Sequence, residues 1–64
     1  MEKNGIMVGD LVRGFLTEQV GIVLAKDALE GHWDQLHVLW TTQGNSMFGP
    51  GTQEWISSQS VDAI

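Results

Sequence analysis

Cysteine and tyrosine are missing from this 64-residue chain, proline occurs once, and lysine and arginine together number three. Without cysteine there is no disulfide and no thiolate metal site, the usual supports of very small domains. A chain of this size buries only about 60% of the surface its unfolded form exposes, so efficient packing of large side chains or self-association must take their place. Against three cations stand eight acidic residues, scattered from Glu2 to Asp62, for a net charge of -5. Non-specific nucleic-acid affinity comes mainly from lysine and arginine, so phosphate backbones are expected to be repelled and no nucleic-acid partner is expected. No stretch approaches the ~20 apolar residues of a membrane span, and no membrane association is expected. Nor does a long apolar stretch follow Met1-Glu2-Lys3-Asn4-Gly5, so no signal peptide is expected and a cytoplasmic location is the default.

What the chain does have is three short apolar runs, the first two punctuated by glycine and the third ended by tryptophan. They are Val8-Gly9-Asp10-Leu11-Val12-Arg13, Val20-Gly21-Ile22-Val23-Leu24 and Leu36-His37-Val38-Leu39-Trp40. Each has the length of one strand, and none holds helical spacing for long enough to make an amphipathic helix. After a polar segment at residues 1–5, residues 6–64 read as a single small domain. Its first strand region runs from Ile6 to Leu16, with a turn or bulge at Gly9-Asp10. A second strand is expected over Val20 to Ala28, a third over Gln35 to Thr42 and a fourth over Thr52 to Ser57. The tail should form one 3₁₀ turn and a short closing strand. Side-chain parity puts Val20, Ile22 and Leu24 on one face of the second strand and Gly21, Val23 and Ala25 on the other. In the third, Leu36, Val38 and Trp40 oppose His37, Leu39 and Thr41. The expected fold is all-β: a strongly bent, five-stranded antiparallel barrel. Its expected core holds Val12 or Leu11, Val23 or Ile22, Val38, Trp40 and Ile56, the alternatives exchanging if a bulge near Gly9 shifts the faces.

The order Val8-Gly9-Asp10-Leu11-Val12-Arg13, Gly21-Ile22-Val23, Val38-Leu39-Trp40 and Glu54-Trp55-Ile56 resembles that of small SH3-like barrel proteins of unknown function, of the kind encoded by tailed phages and marine metagenomes. The resemblance runs from about Met7 to Ile64 and implies an SH3-like barrel but no particular activity. A phage origin would place the protein in the host cytoplasm or the virion. Gly21-Ile22-Val23 is also similar to the centre of a motif in ribosome- and polymerase-associated SH3-like domains. Those domains carry basic residues around it, whereas Glu18, Asp27 and Glu30 stand here with only Lys26 opposing. Signalling SH3 domains have a tyrosine-rich groove, and a chain without tyrosine is not implied to recognise proline-rich ligands.

Few residues suggest chemistry. His32 and His37, five apart, share neither a helix face nor one face of a strand, and a zinc site needs three or four protein ligands. No metal or other cofactor is therefore expected. Ser46, Ser57, Ser58 and Ser60 lack a strand–Gly-x-Ser-x-Gly–helix setting, and no catalytic residue is assigned. The glycine-rich Gly44 to Gly51 tract has no Gly-Lys-Ser/Thr and leads into no helix, so it reads as a hairpin loop rather than a phosphate cradle.

The aromatics carry the functional expectation. Trp40 reads as core and Trp33 or Trp55 as interface residues, since aromatics with polar tips are enriched at protein interfaces; Phe48 joins Trp33 and Trp55 as a candidate interaction residue. A cage for a methylated ammonium and a platform for stacked bases are the alternatives. Apolar residues on both faces of the second and third strands exceed what one small core can cover. The expected function is thus a non-catalytic protein–protein interaction or assembly module that self-associates, most simply as a two-fold dimer. A nucleic-acid-associated domain is one alternative. A ligand binder or small enzyme is another, which a pocket gathering His37, Glu54 and Asp10 would favour.

Overall fold

Short runs rich in β-branched, aliphatic and aromatic residues, bounded by glycine and polar turns, mark where the strands lie. In the computed structural model, which describes residues 6–27 and 34–64, these are β1 (Leu11–Gly14), β2 (Val20–Asp27), β3 (Gln35–Trp40), β4 (Gln53–Ser57) and β5 (Val61–Ala63). A single 3₁₀ turn, Ser58–Ser60, joins β4 to β5 and is capped by the Ser57 hydroxyl, which accepts from the Gln59 N–H. No helix among the described residues is long and apolar enough to cross a membrane. In β3 the period of two is complete: Leu36, Val38 and Trp40 are buried, and Gln35, His37 and Leu39 are half-buried. Val12 and Val23 are the inward residues of their strands; Leu11 is exposed and Ile22 half-buried. With Ile6, Leu36, Val38, Trp40 and Val61 they make the core, and Ile56 packs against it. Full burial of such side chains stabilises the fold by roughly 1.5–3 kcal/mol each.

All pairings are antiparallel, in the order β4-β3-β2-β1-β5. Among the described residues no ladder joins β4 to β5, so the hydrogen bonding leaves the sheet open rather than closed into a barrel. The sheet is nevertheless curled. In a flat sheet four strand spacings would separate its edges by ~19 Å. A 3₁₀ turn rises about 2 Å per residue, and even an extended chain could carry Ser57 no more than ~14 Å from Val61. The two edges therefore approach one another across a seam.

Three expectations are corrected. The first strand does not run from Ile6 to Leu16: Met7 to Asp10 form a turn, with Asp10 N donating to Met7 O (3.0 Å) and Asp10 Oδ2 accepting from Met7 N (2.9 Å), and the chain turns again after Gly14. The turn expected at Gly9-Asp10 is present, but the sheet's irregularity lies at Leu24, between Val23 and Ala25. It reverses side-chain parity over the remainder of β2, so Ala25 pairs with His37 on the outer face instead of joining Val23 on the inner one. β3 ends at Trp40, although Thr41 N still donates to Val20 O (2.8 Å). The end of the second strand at Ala28 lies outside the described residues.

Gly21 is the position where β2 and Trp40 need bare backbone. A Cβ there would stand 2.6 Å from Val38 Cγ1 and 2.9 Å from Trp40 Cε3, so the indole can lie across the strand only because no side chain intervenes.

Candidate functional site

The seam between β4 and β5 opens into a cleft of about 570 Å³. That is within the ~300–1,000 Å³ typical of ligand sites. Its floor is made by Trp40, Ile56, Val61 and Gly14, from the inner face of the sheet. Phe15 and Leu16 form one wall and Phe48 another, with Glu54, Gln59 and Ser60 adding polar groups. Inward residues of β4 thus point into the cleft, and the neighbours between them point away.

Each wall is built by local backbone bonding. β1 stops at Gly14, and the 15–19 loop closes on it through Glu18 N to Gly14 O (3.0 Å) and Gly14 N to Gln19 O (2.9 Å). Glu18 adopts a φ of 60° to complete this loop. For a residue with a Cβ, that left-handed conformation costs roughly 1–2 kcal/mol. Phe15 N donates to Ser60 O (3.1 Å), which sets the ring beside the 3₁₀ turn. Leu16, at the crest of the loop, is 90% exposed.

The second wall is fastened to the first. Gln19 is only 2% exposed, and its Nε2 donates to Phe48 O (2.7 Å) and Thr42 O (3.4 Å). Asn45 N donates to Thr17 O (2.6 Å), and Val20 N donates to Thr42 Oγ1 (2.9 Å). Gly44, at φ 52°, lies so close that a Cβ would run into Thr17 O and come within 2.8 Å of Gln19 N. Two loops, 15–19 and 41–52, therefore hold the cleft open as one hydrogen-bonded unit.

The electrostatics are set by one carboxylate. Trp40 Nε1–H donates to Glu54 Oε2 at 2.7 Å, which satisfies the indole of a residue only 3% exposed and orients the carboxylate. Among the described residues the one ion pair is Lys26 Nζ to Asp34 Oδ2 (3.4 Å), so no described cation neutralises Glu54.

Of the residues singled out from sequence, Phe48 stands in the cleft wall, 56% exposed. Trp55, 52% exposed, is on the other face of β4, stacked on His37 with ring centroids 4.9 Å apart and planes 13° from parallel. The structure does not bring Phe48 and Trp55 together. Trp33 and His32 lie outside the described residues. The cleft takes Glu54 but neither His37 nor Asp10, which is bound in its own turn. Three cleft residues carry no mark in the sequence. Strand periodicity places Phe15 and Leu16 in a strand that ends before them, and Gln19 falls in a polar connection. Its acceptors are 23 and 29 residues away, so no local pattern singles it out.

The outer face of the sheet carries a second apolar surface. Register aligns Leu11, Ile22 and Leu39 in a row across β1, β2 and β3, with Ala25, His37 and Trp55 in a second row. Compared with known protein families, with curated proteins and with solved structures, the chain matches none.

Proposed function

We propose that this chain is a non-catalytic protein-interaction module, an SH3-like, strongly bent barrel whose open seam is its binding surface. The observation that carries the reading is the cleft with Phe15, Leu16 and Phe48 left exposed around it on loops fastened by Gln19. Exposed apolar groups gathered in a concavity mark sites of interaction on small soluble proteins, and fixed walls lower the ordering cost of binding. Selection from a displayed peptide library tests it. Enriched peptides should bind the protein and lose binding to Phe48→Ala, whose circular dichroism should match the parent. Failure to enrich any sequence, or equal binding to Phe48→Ala, would count against the cleft.

A second reading is self-association through the outer face, favoured by the Leu11–Ile22–Leu39 row and the stacked Trp55 beside it. A two-fold dimer is the simplest closed form for such a surface. Light scattering would then give twice the 7.0 kDa of one chain. Substituting Leu39→Lys should return the monomer.

A further inference from the structure

We infer that the cleft receives a lysine or arginine side chain of a partner protein, its alkyl stem against Phe15 and Phe48 and its cationic head on Glu54. This rests on the cleft being the binding surface and specifies what chemistry enters it. Trp40 Nε1–H occupies one oxygen of Glu54, at 2.7 Å, and holds the carboxylate in place. Oε1 remains as an acceptor, and no cation among the described residues pairs with the group. The apolar floor and the two phenylalanines suit the methylene stem of a long basic side chain, which buries its carbons while keeping its head near water. A cation over the face of an aromatic ring is attracted to it, and two phenylalanines line the same cleft. At a net charge of -5 the chain as a whole also favours an approaching positive group. An acidic segment would instead meet Glu54 with like charge. Because the free carboxylate oxygen accepts hydrogen bonds, a cation bearing N–H groups fits better than a trimethylated one.

The test uses Nα-acetyl-lysine amide and its neutral analogue Nα-acetyl-norleucine amide as probes, titrated to millimolar concentration and followed by NMR. The signals to watch are the Trp40 indole N–H and the Phe15 and Phe48 amides. The lysine probe should shift all three and bind roughly fivefold more tightly than norleucine, a margin expected of one partly exposed charge contact plus a ring contact. Glu54→Gln keeps an acceptor for the Trp40 indole but removes the charge, so it should abolish that margin while the indole signal persists. Phe48→Leu should narrow it. Equal binding of the two probes, or an unchanged margin in Glu54→Gln, would overturn the inference while leaving the cleft as a general apolar site. Absence of any shift with the lysine probe would overturn it too. Selected peptides that ignore Phe48→Ala would instead refute the underlying reading, so the two failures are distinguishable.

Discussion

The cleft and the outer face both leave large apolar side chains in water, yet they are built differently. Around the cleft, Phe15, Leu16 and Phe48 sit on loops whose backbones bond to each other and to the buried Gln19. On the outer face, Leu11, Ile22 and Leu39 are neighbours only because strand register aligns them. One surface is concave, asymmetric and tuned by a single carboxylate. The other is a row of aliphatic side chains set by strand register. The difference teaches that a small sheet can build two kinds of apolar surface, one on each face, with Glu54 and Trp55 adjacent in sequence and pointing to opposite sides.

The separation can be broken in steps of decreasing size. Leu36→Ala, at a fully buried position of β3, should remove about 2–5 kcal/mol of stability, measured by urea unfolding, and impair both surfaces together. Gln19→Leu should cost roughly 1–3 kcal/mol because two carbonyls lose their buried donor. Its diagnostic effect is selective: ligand binding at the cleft should weaken while association through the outer face is unchanged. Leu39→Lys should do the reverse, shifting mass by light scattering while stability changes by no more than about 0.5–1 kcal/mol at a half-buried site. Glu18→Gly should be the smallest, since relief of the left-handed φ is nearly offset by the added freedom of glycine in the unfolded chain, for a net change within about 0.5 kcal/mol and none in mass.

Much of the fold was legible because strand periodicity is a local property. Leu36, Val38 and Trp40 alternate with polar or half-buried neighbours, and the glycine-rich tract before Thr52 could only be a connection. The 3₁₀ turn and closing strand were readable in Ser58-Gln59-Ser60-Val61 for the same reason. The bulge at Leu24 was not, because Val20 to Ala25 is apolar on both faces and no side chain announces where parity changes. Of the site, sequence marked Phe48 as a candidate interaction residue but could not tell that Trp55 faces the other way, since that depends on which residues of β4 point into the seam. Phe15, Leu16 and Gln19 were hidden by a strand end and by hydrogen bonds that cross more than twenty residues.

The seam between β4 and β5 is the claim on which the rest depends. Its most direct test is an amide and indole NMR map of the protein titrated with a peptide selected from the displayed library. The expected shifts fall on Phe15, Leu16, Phe48 and the Trp40 indole N–H, with Leu11, Ile22 and Leu39 silent. Shifts confined to Leu11, Ile22, Leu39 and Trp55, with the cleft unchanged, would contradict the account.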